Sequence, residues 1–325
     1  MSDAQVPAGN GAPAAVPRRR SKAWIWIVVV VVVMLLIACS CGWSTWVLVQ
    51  GGGTASSGIG DAVAVIYIDG QIAGVDGGNL TGVGSVTPER VIAELKRAED
   101  DDSVKAIILR IDSPGGTASA SEEIAMEVAR VKKPIIASVG DVCASGAYMI
   151  ASQCDEIMCT TSSSIGSIGV IMEVGDYSEL FDKLGVKFIS IHEGEFKDAG
   201  APWRSLTASE TAMLESDIKL VYDEFIATVA EGRKMKQAEV RTLATGWAWP
   251  GRRAEELGLV DKMGNYSDAV AEAARKGGIE GEPRIVSYRD ESLSGLLRGL
   301  TSSIDRLGGV GALSPAALPQ RPTLK

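Results

Sequence analysis

Three short segments carry residue types that together could perform acyl transfer. In Gly140-Asp141-Val142-Cys143-Ala144-Ser145-Gly146-Ala147-Tyr148, small residues turn the chain after an apolar run, and Ser145 falls at the expected start of a helix. A hydroxyl there faces a reacting carbonyl, and the Gly146 N–H faces the same point with the helix dipole behind it. Serine at a helix start is also the common N-cap, so this segment alone supports either role. Asp112-Ser113-Pro114-Gly115-Gly116 follows another apolar run. Its consecutive glycines could present backbone N–H groups to an oxyanion, or simply turn the chain into a helix. The third segment is Gly194-Glu195-Phe196-Lys197-Asp198. A serine nucleophile needs a base, and a lysine kept neutral by burial can serve, whereas most lysines are solvated surface residues.

Composition narrows the choice of base. The 325 residues include one histidine, His192, so a multi-histidine zinc site within one chain is excluded, and a Ser-His-Asp triad would have to use it. His192 lies five residues before Lys197, with no paired carboxylate motif, and reads as structural. There is no Gly-x-Ser-x-Gly elbow, which disfavours an α/β-hydrolase. Ser216-Asp217-Ile218-Lys219 has another Ser/Lys spacing, but it sits mid-helix and reads as a solvated face. Five cysteines, odd in number and scattered, do not make a disulfide scaffold; Cys143, Cys154 and Cys159 read as small buried residues. A sequence pI near 4.9 argues against nucleic-acid binding, and no metal or cofactor is implied.

The elements that must position these residues follow from apolar periodicity. Val63–Ile68, Ala106–Ile111, Pro134–Val139 and Val186–Ile191 read as strands. Pro88–Asp100, Ser121–Val131, Ala144–Ser152 and Ser209–Glu231 read as helices. This alternation predicts an α/β fold, a mostly parallel sheet covered by helices, within a body of residues 61–290.

The N-terminal part is of another kind. Residues 1–60 hold Arg18, Arg19, Arg20 and Lys22 against Asp3, so the remaining chain carries an excess of twelve negative charges. Residues 1–22 read as a disordered basic tail and residues 23–49 as one transmembrane helix. The apolar stretch Trp24–Val49 would make a helix of about 39 Å, enough for a bilayer core of roughly 30 Å. Trp24, Trp26, Trp43 and Trp46 lie near its ends, and the preceding basic cluster predicts a cytoplasmic N-terminus with an exported body. Leu36-Ile37-Ala38-Cys39 resembles a lipobox, but apolar residues continue past Cys39, which suits a retained anchor. Residues 50–60 read as a Gly/Ser linker and 291–325 as a partly disordered extension.

Five motifs, in order, make the chain resemble the short form of the signal peptide peptidase A family. They are Ile111–Gly116, Lys133-Pro134 leading to Ala144-Ser145-Gly146, Ser164–Val170, Gly194–Asp198 and Ala254–Asp261. The resemblance covers roughly residues 62–288. It implies the Clp-protease/crotonase fold, a repeated ββα superhelix, and a membrane-anchored serine endopeptidase acting outside the bacterial cytoplasmic membrane. Its substrates would be apolar peptides such as cleaved signal peptides. It further implies Ser145 as nucleophile, Lys197 as general base, backbone N–H groups of Gly146 and Gly116 (or Gly115) as oxyanion hole, and Ser167 as the hydroxyl orienting the lysine. In the short form, serine and lysine come from neighbouring subunits of a homo-oligomeric ring. Ala147 and Met149 depart from the usual glycine and aromatic, and Ser164 from the usual threonine or leucine, without removing a reacting group. The alternatives are a catalytically silent membrane scaffold of the same fold, and a crotonase-type acyl-CoA enzyme.

Overall fold

A computed structural model of the chain describes residues 60–75 and 85–288. The transmembrane, tail and C-terminal assignments (1–22, 23–49, 291–325 and nearly all of 50–60) lie outside those residues, as do the last two residues of 61–290. Among the described residues no helix is long and apolar enough to cross a membrane.

The first half alternates regularly: β1 (Ala62–Asp69), α1 (Pro88–Asp100), β2 (Val104–Ser113), α2 (Ala118–Val128), β3 (Ile135–Ala144), α3 (Gly146–Ala151), β4 (Glu156–Cys159) and β5 (Ser164–Gly166). The second half is mainly helical: α4 (Ser178–Leu184), α5 (Ala208–Arg233), α6 (Gln237–Leu243), β6 (Ala248–Pro250), α7 (Gly251–Glu256), β7 (Lys262–Met263), α8 (Tyr266–Lys276) and β8 (Arg284–Ser287). The strands form one sheet ordered β6-β5-β3-β2-β1-β8, with β4 and β7 branching from β3. Every pairing is parallel except β5 with β6.

The strands are apolar on both faces because helices cover both. Ala64, Ile66 and Ile68 join Ile107, Leu109 and Ile111 in the larger core, with Val91 and Leu95 of α1 and Ile124 of α2. Val63, Val65, Ile108 and Ile136 face the other way, against Ala269 and Ala273 of α8. Helix α1 starts where its sequence says it should. Thr87 Oγ1 accepts the Arg90 N–H and Pro88 occupies the first turn, where no backbone donor is needed.

Strand β3 changes partner along its length. Ile136–Ser138 pair with β4, whereas Val142–Ala144 pair with β5. That fork carries the chain end at Ala144 beyond β4 and places the next residue, Ser145, against β5. The strand expected at Val186–Ile191 is absent: this run pairs with no strand among the described residues. Its apolar alternation is real, but Ile189 and Ile191 are 87% and 94% exposed, so the run lacks a partner within the described chain.

Candidate active site

Ser145 occupies the N-cap position of α3 but does not cap it. Its side chain accepts no bond from the helix, and its backbone stands at φ 53°, ψ −126°. A serine pays steric strain there, of order 1–3 kcal/mol, and strain of this kind persists only when the surroundings impose it. The surroundings are identifiable. The Ser145 N–H donates to the Gly166 carbonyl at 2.7 Å, and the Ser145 carbonyl accepts from Tyr148 and Met149. Behind it α3 is wholly buried, Ala147 and Met149 included, so both departures from the family pattern are packed into the core. The hydroxyl is therefore held in place by its backbone and left free of helix-capping duty.

The glycine turn fits beneath this serine. Gly115 has φ 94°, and a Cβ on it would stand 2.7 Å from the Gly146 nitrogen and 2.8 Å from the Ser145 Cβ. Gly116 abuts Ile72 so closely that a Cβ there would fall 1.8 Å from the Ile72 carbonyl oxygen. The two glycines differ in what their N–H groups do. Gly115 donates to Ser113 Oγ at 3.1 Å, and that hydroxyl in turn donates to the Gly70 carbonyl. Ile72 bonds the Gly115 carbonyl and the Thr117 N–H, straddling Gly116. No acceptor takes the Gly116 N–H among the described residues. Gly146, the first residue of α3, has no intrahelical acceptor for its own N–H. A Cβ on Gly146 would lie 3.6 Å from the Gly116 nitrogen, so the two uncommitted donors are neighbours.

Ser145 and Ser167 line one cleft of about 470 Å³, with Val170, Ile218, Tyr222 and Gly246 among its walls. Ser167 is also left-handed, at φ 49°. Its N–H donates to the Trp247 carbonyl and its hydroxyl to the Gly246 carbonyl, each at 3.0 Å. With its proton so committed, the Ser167 oxygen presents lone pairs to the cleft, as an acceptor for an amine N–H would.

Lys197 is elsewhere. It is exposed, does not line the cleft, and its Nζ has no hydrogen bond or ion pair among the described residues. On either side of it in the chain, Phe188 stacks on Trp203 at 4.9 Å and meets Phe181 edge-on. Thus one chain brings together Ser145, Gly116, Gly146 and Ser167 but not Lys197.

The tempting alternatives lose ground. Cys143 is fully buried, and desolvation pushes its thiol well up, the opposite of an activated nucleophile. Lys219 pairs with Asp223 on an exposed helix face. Asp261, at the end of the fifth motif, takes a bidentate pair from Arg233 and also accepts the Ile157 N–H, so that motif ties α5 to β4. Among the described residues no group of histidines, cysteines and carboxylates could hold a metal ion.

The family model of peptidase family S49 matches residues 127–280, and that of Clp protease matches residues 81–165. The slr0021 protein of Synechocystis sp., named as a protease, is 37% identical over 61% of this chain and 72% of its own. The chain belongs to peptidase family S49. A protein of Enterococcus faecium named as a signal peptide peptidase SppA, without established activity, is 32% identical over 71% of this chain and 67% of its own. The MJ0651 protein of Methanocaldococcus jannaschii, also named as a protease, is 38% identical over 62% of this chain and 65% of its own. Against Protease 4 of Salmonella typhi the chain spans only 42% of the relative's length, at 30% identity. The S49 match begins in α2 and ends after α8, so it includes Ser145, Gly146, Ser167 and Lys197; the Clp protease match adds the Gly115-Gly116 turn. The mixed sheet with helices on both faces is thus of the Clp-protease type.

Proposed function

We propose that this S49 chain is a membrane-anchored serine endopeptidase that cleaves apolar peptides, such as cleaved signal peptides, outside the bacterial cytoplasmic membrane. Ser145 Oγ attacks the scissile carbonyl while Lys197 removes its proton, and the oxyanion rests on the Gly116 and Gly146 N–H groups. Lys197 then protonates the leaving amine and activates the water that hydrolyses the acyl-enzyme. Ser167 accepts a hydrogen bond from the lysine and aims it. Residues 23–49 anchor the chain, with the basic tail inside.

The observation that carries this reading is the strained, non-capping Ser145 beside two uncommitted N–H donors. Lys197 reaches a serine on a neighbouring subunit of a homo-oligomer. Two features support this: Lys197 lies outside its own chain's cleft, and Ile171 beside that cleft and Ile189 and Ile191, a few residues before Lys197 in the chain, are each more than four-fifths exposed. Exposed apolar runs of this kind mark surfaces that another chain covers.

Full-length protein in detergent, assayed on a fluorogenic apolar peptide, tests this. Ser145→Ala and Lys197→Ala should each abolish cleavage, and co-assembly of the two should restore part of it. Activity in either variant alone contradicts the dyad; an inactive wild type of verified assembly points instead to a scaffold.

A further inference from the structure

The turn bearing Lys197 is fastened by the residue that follows it. Asp198 receives Arg204 on both carboxylate oxygens, Nε to Oδ2 at 3.3 Å and Nη2 to Oδ1 at 2.7 Å, and Nη2 also reaches the Asp198 carbonyl at 3.1 Å. The other side of the same guanidinium grips Glu210, with Nη1 to Oε2 at 2.9 Å and Nη2 to Oε1 at 2.5 Å, and Nη1 also donates to the Ser205 carbonyl. Glu210 is 3% exposed and closes the N-terminus of α5 in a capping box with Thr207. Helix α5 is itself fixed in the core by Phe225, Ile226 and Val229. An unbroken chain of charge-assisted bonds therefore runs from the core through Glu210 and Arg204 to the backbone next to Lys197. His192 completes it from the other side, its Nε2 3.6 Å from Asp198 Oδ1 and its Nδ1 3.0 Å from Ser190 Oγ. Glu193 and Glu195, the remaining charges on the turn, are exposed.

A surface turn gains little from a salt bridge as such. A planar fork with nearly every N–H directed is a device for geometry, and lysine cannot reproduce it. Lys197 itself is held by no side-chain partner, so its reach depends on its backbone, and its backbone depends on Asp198.

We infer that Asp198 and Arg204 are positioning residues for Lys197: the Arg204 fork, braced on Glu210, fixes the turn from which the lysine reaches its serine. This rests on Lys197 being the base. Exchanging Arg204 for lysine keeps the charge and loses the fork, so kcat on the peptide substrate should fall roughly 10- to 100-fold with KM little changed. In Arg204→Gln, Asp198 becomes an uncompensated anion one residue from the lysine. It favours the protonated lysine, so the acid limb of the kcat/KM profile should move to higher pH. A purely structural role would not move that limb.

The experiment compares full-length wild type, Arg204→Lys, Arg204→Gln, Asp198→Asn and Lys197→Ala, after confirming assembly by size. Asp198→Asn leaves the Arg204–Glu210 pair in place and decides the question alone if the Arg204 variants fail to assemble; it too should lose kcat. Wild-type kcat and pH profile in the assembled variants, alongside an inactive Lys197→Ala, would overturn the positioning role and spare the dyad. An active Lys197→Ala would overturn both.

Discussion

Gly115 sits flush beneath Ser145: a Cβ on the glycine would stand 2.8 Å from the serine's own Cβ, closer than real Cβ atoms come. The same atom would meet the Gly146 nitrogen at 2.7 Å and the Ala144 carbonyl at 2.8 Å, and the backbone at φ 94° resists any side chain. Gly115→Ala must therefore displace Ser145 or the Gly146 N–H, the groups proposed as nucleophile and oxyanion donor. Since an error of about 1 Å in a reacting group can cost roughly 100-fold, kcat/KM should fall by that order while the protein remains folded. Peptide kinetics with circular dichroism on the same sample checks this.

Gly146→Ala disturbs the same N–H from its own residue and offers a rescue. The added Cβ would fall 2.0 Å from Ser121 Oγ and 2.7 Å from Ser121 Cβ, both on α2. Ser121→Ala removes the first clash only, whereas Ser121→Gly removes both, at a helix cost of about 1 kcal/mol. The expected order of activity is Gly146→Ala lowest, its double variant with Ser121→Ala intermediate, and its double variant with Ser121→Gly highest. Alanine keeps the N–H but shifts it, and since complete loss of an oxyanion donor costs roughly 100- to 1,000-fold in kcat, the order is measurable within that range.

Strain at Ser145 separates stability from activity. At φ 53°, ψ −126° glycine is at ease and alanine is not. Ser145→Gly and Ser145→Ala should both be inactive, yet the glycine variant should be the more stable by about 1–2 kcal/mol, after allowing for its more flexible unfolded chain. That corresponds to a few degrees in Tm, read by calorimetry. Equal melting temperatures would mean that the backbone at this position is relaxed.

Acid should loosen the turn that carries Lys197. The Arg204 fork, then the Thr207 N–H, lower the Glu210 carboxyl from 4.5 to about 2, and Arg204 also holds Asp198 below its usual range. A carboxylate depressed in the folded state stabilises it fully above its unfolded value. For Glu210 that contribution disappears as pH falls from 4.5 towards about 2. The Tm of the wild type should drop across that window, and Glu210→Gln should flatten the drop while lowering Tm at neutral pH. Parallel curves for the two proteins would remove Glu210 from the account.

The parts of this architecture legible in the sequence are those set by local chemistry. Thr87, Pro88 and the spacing of Val91 and Leu95 announce α1, and apolar runs announce β1 to β3. Whether Ser145 caps a helix or stands free was undecidable, because composition does not reveal a φ imposed by Gly166 and a buried α3. The choice between Gly115 and Gly116 depended on Ser113, whose hydroxyl uses one N–H and leaves the other; that is a tertiary fact. Val186–Ile191 looked like a strand because alternation reports a face to be buried and says nothing about what buries it. The Asp198–Arg204–Glu210 network has no signature in the sequence beyond Thr207-Ala208-Ser209-Glu210, a capping-box pattern that marks the start of α5.

We propose above all that Ser145 is the nucleophile, activated by Lys197. The most direct measurement is to treat full-length, assembled protein with a fluorophosphonate and map the adduct by peptide mass spectrometry. The account predicts a single adduct on Ser145 in the wild type and none over the same time in Lys197→Ala. An adduct on any other residue, or equal labelling of Ser145 without Lys197, would contradict it.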